Sequence, residues 1–309
     1  MKTIKFLISG LFFFVLLTNL AAYENSIITK VDNEIITYLD IKKETVYLKL
    51  LNKNLNDMES EMINKIAKNS LIREKIKIIE LKKNYDELKI DDEYLNQLIS
   101  LTFKKVGFTS EENFKNVIFQ NNLDYNEIKK KIVIEALWNE LIIYKFSSKL
   151  NINEKTIKEN FINKKNDYKF TYFLSEILFE VDNTEKLKEK KDLIKTTIIN
   201  QGFENAALIH SISNTANMGG KIGPIEFEAL NNSIKNSIKN LKIGEYSEPI
   251  LMPNGFLILK IDDIEKTKIE TDIDFEVKKI INIKKNQQLN QYSNSYYNKI
   301  KKDINVEDL

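Results

Sequence analysis

The chain has 309 residues, 42% of them hydrophobic, which is enough for one to three domains with their own cores. Its 47 basic residues nearly balance its 45 acidic ones, and this argues against nucleic acid as a partner. There is no cysteine and one histidine, His210, which excludes thiol chemistry and zinc–cysteine sites and argues against a catalytic triad. We find no nucleotide motif and predict neither a metal nor a cofactor.

Residues 1–22 have the pattern of a secretory signal peptide. Lys2 and Lys5 form a basic start, and the apolar run from Phe6 to Leu17 leads to small residues at Ala21 and Ala22. We expect cleavage and export across the inner membrane to the periplasm. Alternatively, the segment is not cleaved and anchors the protein in the membrane.

The region after the signal predicts a small hairpin and then amphipathic helices. The β-rich segments 26–31 and 34–37 flank the turn pair Asp32-Asn33. Apolar periodicity and capping residues predict helices over 38–52, 57–84, 91–105, 109–120, 124–150 and 153–165. Trp138 is expected in the core of this bundle.

The composition changes at residue 168, where an aromatic and β-branched run predicts a strand to Val181. Helices are predicted next over 184–200, 203–209 and 230–241, and strands over 247–251 and 256–262. Gly219 to Pro224 is interpreted as a turn. The order β-α-α-α-β-β indicates an α+β domain. A last helix over 271–302 is poorly stable alone and is expected to pack on the N-terminal helices.

Residues 170–262 resemble a parvulin-type peptidyl-prolyl isomerase domain. The matching segments are Leu174-Ser-Glu-Ile-Leu-Phe, Gly219-Gly220-Lys-Ile-Gly223, Leu241-Lys-Ile-Gly244-Glu-Tyr-Ser-Glu-Pro249 and Gly255-Phe256-Leu-Ile-Leu-Lys260. Residues 24–150 resemble the helical domain of SurA-type periplasmic chaperones. The matches there are Val31-Asp-Asn-Glu-Ile-Ile-Thr37 and Leu123-Asp-Tyr-Asn-Glu-Ile128.

Together the two resemblances imply an α+β protein with four parts. These are a signal peptide (1–22), a mostly helical chaperone domain (23–165), one parvulin-like domain (166–265) and a C-terminal helix that packs on the N-terminal domain (266–309).

The parvulin resemblance implies an isomerase site, and this chain departs from the family pattern there. Active members carry one histidine on the first strand and one on the last, and these positions fall on Glu176 and Leu257. The loop between them keeps Ser211 and Ser213. Glu176, Ser211 and Ser213 are therefore the catalytic candidates, whereas His210 matches no catalytic position.

The same resemblance implies an apolar slot for a client peptide. Its positions fall on Ile222, Leu230, Ile234 and Phe256. Each could equally be an ordinary core residue, because an apolar side chain at these spacings also fits a buried strand or helix face.

Three interpretations of the function follow from these resemblances. The first is an ATP-independent periplasmic chaperone for unfolded exported proteins, especially outer-membrane protein precursors, whose parvulin-like domain has weak or no isomerase activity. The second is an active peptidyl-prolyl isomerase that uses Glu176, Ser211 and Ser213. The third is a membrane-tethered folding factor with the same domains. All three predict extended polypeptides as partners.

Overall fold

The computed structural model describes residues 26–163, 168–181, 184–253, 255–268 and 273–309. These residues form two compact units. The first contains the described residues through Leu51, Asp57–Glu135 and Ile300–Leu309, and the second contains Asn52–Asn56 and Ala136–Lys299. The predicted signal peptide lies outside the described residues, and the predicted domain boundaries stay predictions.

The first unit opens with the predicted hairpin. Strand β1 (Ile27–Val31) pairs antiparallel with β2 (Glu34–Thr37), and Asp32 makes the turn with a φ of 49°. Near the end of the chain, β7 (Val306–Asp308) adds to β1, which gives the strand order β2-β1-β7. β7 was not predicted, because its three residues are exposed and carry no apolar alternation.

Helices make up most of the first unit. The described helices begin with α1 (Tyr38–Leu51), α2 (Ser60–Lys82), α3 (Asp92–Lys105), α4 (Glu111–Gln120) and α5 (Tyr125–Phe146). The side chains of Asp91 and Ser110 cap α3 and α4, because they accept hydrogen bonds from main-chain N–H groups in the first turns of these helices. The predicted helix from residue 57 begins at Ser60, because Lys53–Asp57 form a 3-10 turn.

The second unit is built around a four-stranded antiparallel sheet. Its strands are β3 (Tyr168–Phe179), β4 (Lys221–Glu226), β5 (Ile250–Met252) and β6 (Gly255–Lys268), in the order β4-β3-β6-β5. The interpretation of residues 219–224 as a turn alone was wrong, because β4 starts at Lys221. Gly223 and Pro224 suggested a break, but an edge strand tolerates proline, and Pro224 pairs with Phe173 there.

Helices surround this sheet. The described ones are α6 (Glu154–Asn163), α7 (Leu187–Gln201), α8 (Phe203–His210), α9 (Asn232–Ile238) and α10 (Ile273–Lys301). The helix predicted over 230–241 is therefore shorter, and the predicted start of the last helix at residue 271 lies outside the described residues. No helix in the described parts of the chain is long and apolar enough to span a membrane.

Within the second unit, α10 packs on the second part of α5. Trp138 is fully buried, its Nε1 donates to Ser293 Oγ at 2.8 Å, and its ring stacks on Tyr296 with 5.8 Å between centroids. Phe146 stacks on Tyr292 at 4.9 Å. The prediction that the last helix packs on N-terminal helices is confirmed, as are the core position of Trp138 and the α+β class.

Candidate functional site

A groove of about 150 Å³ opens on one face of the four-stranded sheet. Its floor consists of alternate residues of two neighbouring strands: Leu174, Glu176 and Leu178 of β3 and Leu257 and Leu259 of β6. Glu176 pairs with Leu259, and Leu178 pairs with Leu257. Because paired residues and residues two apart share a face of a sheet, Glu176 is a polar group on an otherwise apolar floor.

Apolar side chains also line the groove beside its floor. Ile222, Leu230 and Ile234, three of the four predicted slot residues, lie here together with Ile225 and Met252. Leu230 and Ile234 are 3% and 8% exposed, whereas Ile222 is 36% exposed and lies at the open rim. A prolyl or other apolar side chain would thus meet apolar surface on the floor and beside it.

A row of amide side chains on α10 also lines the groove. Gln287, Asn290, Gln291 and Asn294 line the groove, and their spacing places them on one helix face. Carboxamides both donate and accept hydrogen bonds, so this face suits the main chain of a peptide. These amides were not among the predicted site residues, because only the apolar periodicity of this helix entered the prediction. The sequence feature that could have predicted them is the helical spacing of the four amides.

Glu176 is half-buried and bound to two hydroxyl groups. Its Oε1 accepts hydrogen bonds from Ser213 Oγ at 2.5 Å and from Thr215 Oγ1 at 2.8 Å. Desolvation raises the pKa of Glu176 above its ordinary value, and the two hydroxyl hydrogen bonds oppose that shift. Both donors described here use Oε1, and Glu176 is one of the residues that line the groove.

Ser211 holds the loop of Ser213 in place. Its Oγ accepts from the main-chain N–H of Leu178 at 3.1 Å and of Ser213 at 3.2 Å. The N–H of Ile212 also donates to the carbonyl oxygen of Leu178 at 2.7 Å. Ser211 is not among the residues that line the groove, so it fixes the position of Ser213 relative to β3.

Gly220 holds the main chain of Glu176. The N–H of Glu176 donates to the carbonyl oxygen of Gly220 at 2.8 Å. Gly220 has a φ of 79°, and a Cβ there would lie 2.2 Å from the carbonyl oxygen of Glu176 and 3.0 Å from Ala207 Cβ. Only glycine combines this backbone conformation with this close approach.

Two residues singled out in the sequence lie elsewhere. Phe256 stacks on Phe179 at 5.8 Å in the cluster on the opposite face of the sheet, because it is adjacent to the groove residue Leu257. His210 ends α8, where its Nε2 lies 2.8 Å from Thr197 Oγ1 of α7. Over the described residues, no group of three or more His, Cys, Asp or Glu side chains could hold a metal ion.

Residues 177–263 match the family model of the rotamase, or PPIC-type PPIASE, domain. This segment contains β4, β5, most of β6 and the two hydroxyl partners of Glu176. The fold and the groove thus define an α+β domain of the parvulin type, which agrees with the resemblance noted in the sequence.

Similarity extends beyond this domain. The chain is 24% identical to Chaperone SurA of Pseudomonas putida over 57% of its own length and 43% of the relative. It is 25% identical to Foldase protein PrsA 3 of Bacillus anthracis over 72% of its own length and 71% of the relative. The match thus spans less than half of the SurA relative.

A solved structure described as one of two structurally related SurA-like chaperones of Campylobacter jejuni is 18% identical and covers 92% of this chain and 99% of its own. Its TM-score of 0.36 is too low to support a conclusion about the fold. From the domain match and the relatives together, the chain is SurA/PrsA-like and carries a single PpiC-type rotamase domain.

Proposed function

We propose that this protein is an ATP-independent chaperone that binds unfolded exported polypeptides and that its parvulin-type domain is a peptide-binding module with weak or no isomerase activity. The groove supports this proposal best, since its apolar floor faces a row of main-chain-binding amides. Reversible binding to an unfolded client needs no nucleotide, because it acts by mass action. The similar proteins named SurA and PrsA are called chaperones and foldases.

The proposed location is the periplasm and the proposed clients are outer-membrane protein precursors. The location rests on the signal-peptide pattern of residues 1–22. Barrel precursors consist of alternating apolar and aromatic strands that aggregate when unpaired. An apolar groove beside amides that bind main chain suits such strands.

Weak isomerase activity follows from the polar groups of the groove. Rotation about an X–Pro bond has a barrier of about 18–20 kcal/mol, and an enzyme lowers it by donating hydrogen bonds to the twisted carbonyl group. Here the hydroxyls of Ser213 and Thr215 donate to Glu176, and position 257 is a leucine. An ionised Glu176 offers an acceptor where a donor is needed.

One observation favours the second candidate, an active isomerase. The raised pKa of Glu176 increases the fraction of its protonated form, and a protonated carboxyl can donate to a client carbonyl. Ser213 would then hold Glu176 in position. On this reading, any catalysis increases as the pH falls.

Two assays run in parallel test the proposal. The first follows aggregation of a denatured outer-membrane barrel protein on dilution, and the second follows isomerisation of a proline peptide. We expect aggregation to be suppressed and the isomerisation rate to stay near its uncatalysed value. A protein that fails to suppress aggregation would refute the chaperone proposal.

A serine variant separates binding from catalysis. Ser213→Ala removes a hydroxyl partner of Glu176, and Ser148→Ala changes an exposed serine outside the groove as its control. Strong isomerisation that is lost in Ser213→Ala but kept in Ser148→Ala would establish the enzyme and overturn the binding-only account.

A further inference from the structure

A second cavity, which we call the polar cavity, adjoins the groove in the same compact unit. Its volume is about 650 Å³. It shares four lining residues with the groove: Leu230, Asn231, Gln287 and Gln291. The groove and the polar cavity are therefore neighbours along α10, and an extended peptide that leaves the groove in this direction enters the polar cavity.

One contact in the polar cavity shows how α10 binds extended main chain. The N–H of Asn151 donates to Gln288 Oε1 at 2.9 Å, and Gln288 Nε2 donates to the carbonyl oxygen of Asn151 at 2.9 Å. This two-way pairing resembles the one that two β-strands make with each other. Gln287 and Gln291, beside it on α10, offer the same chemistry to a client backbone.

Two lysines give the polar cavity a positive balance. Lys235 donates to Glu228 Oε2 at 2.9 Å, and Lys284 donates to the carbonyl oxygen of Ala229 at 2.7 Å. Lys235 and Lys284 both line the cavity with Glu228, so two ammonium groups there face one carboxylate. Burial, and then repulsion by Lys235, lower the pKa of Lys284, whereas attraction by Glu228 opposes that shift.

We propose that the polar cavity is a second client subsite that binds a carboxylate of the peptide between Lys235 and Lys284. This inference rests on the proposed function and specifies which clients bind well. Lys284 and Asn294 are ten residues apart on α10, which is about 15 Å at 1.5 Å per residue. An extended chain covers this distance with about four or five residues.

The spacing defines the peptides for the test. Each peptide has one proline for the groove and a glutamate four residues before or four residues after it, and matched peptides have glutamine in place of glutamate. A further pair ends four residues after the proline, with a free or an amidated C-terminus. Dissociation constants for the full chain are measured by fluorescence anisotropy at low ionic strength.

We expect one glutamate position, or the free C-terminus, to bind about fivefold more tightly than its neutral match. Lys284→Gln and Lys235→Gln should each bring the ratio of charged-peptide to neutral-peptide affinity close to one. Lys239→Gln makes the same charge change at an exposed site at the end of α9 and should keep the preference. Circular dichroism verifies that each variant is folded.

The outcomes separate the inference from the proposed function. Equal binding of charged and neutral peptides would overturn the carboxylate subsite and leave the chaperone proposal intact. A protein that suppresses aggregation yet binds none of these peptides would also overturn it. Loss of both peptide binding and aggregation suppression would refute the proposed function itself. A preference that persists in both lysine variants would place the carboxylate elsewhere.

Discussion

The two faces of the four-stranded sheet are built from the same strands and differ in what covers them. On one face Ile177, Phe179 and Ile258 pack with residues of α7 and α8 in a closed core. On the other face Leu178 and Leu257, from the adjacent positions, line an open groove with Glu176. Leu178 and Leu257 are also buried in a core cluster of their own. Alternation along β3 and β6 thus places a closed core on one face and, on the other, core residues that also line the groove. Substitutions on the closed face should change stability alone, whereas substitutions on the groove face should change binding as well.

The largest expected effect is on the closed face. Phe179 is fully buried and stacks on Phe256, so Phe179→Ala leaves a cavity and should lower the free energy of unfolding by about 3–5 kcal/mol. Leu257→Ala on the groove face should cost about 2 kcal/mol, since one side of this residue already borders open space. Urea unfolding measures both changes. A larger loss of unfolding free energy for Leu257→Ala than for Phe179→Ala would contradict the account that the closed face contributes more to stability.

The next effect concerns Gly220, which lies against Glu176 of the groove and against Ala207 of the closed core. A Cβ at Gly220 would press on the carbonyl oxygen of Glu176 and on Ala207, so Gly220→Ala should cost about 3 kcal/mol and displace Glu176. Gly244 has a φ of 89°, and a Cβ added there would meet no atom within 4 Å, so Gly244→Ala should cost about 1 kcal/mol. Urea unfolding measures both variants. Equal losses of unfolding free energy in the two would show that the close contact at Gly220 does not affect stability.

A smaller effect is expected at the rim of the groove. Ile222→Asp places a charge where the client's apolar side chain would bind, and peptide affinity should fall about tenfold with little change in stability. Ile243 is exposed and outside the groove, so Ile243→Asp is the matched control. Titration with a labelled proline peptide measures the affinity. Equal affinities of the two variants would place client binding outside the groove.

The strands of the parvulin-type domain could be predicted where aromatic and β-branched residues are concentrated, as in Tyr168–Phe179. The strand Lys221–Glu226 could not, because its glycine and proline are turn residues except at a sheet edge, and a sequence does not show which strand is an edge. β7 could not be predicted either, because three exposed residues carry no alternation of apolar and polar side chains.

The site residues that could be predicted are those whose positions within a strand match the family pattern. Glu176 and Leu257 were found from the family pattern, and both lie in the groove. Phe256 was assigned to the slot although it is adjacent to Leu257, and alternation places it on the closed face. Thr215 and the amides of α10 were missed because they come from a loop and a distant helix that only the fold brings together.

The smallest expected effect is pH-dependent. The pKa of Glu176 in the folded protein is raised above its ordinary value of 4.5, so the stability of the protonated form is present below pH 4.5 and is lost as the pH rises through the raised pKa. Glu176→Gln mimics the protonated form and should raise Tm by about 2 °C at pH 7.5. Calorimetry should show this difference disappear at pH 4, and a Tm lowered at pH 7.5 would contradict the assigned protonation.

The central claim is that the groove binds proline-containing chains without isomerising them efficiently. Exchange NMR of a proline peptide tests both parts in one sample, because binding shifts the cis and trans resonances and catalysis adds exchange peaks between them. We predict shifted resonances on addition of the protein and no exchange peaks beyond those of the free peptide. Strong exchange peaks would show an active isomerase, and unshifted resonances would show that the groove does not bind such a peptide.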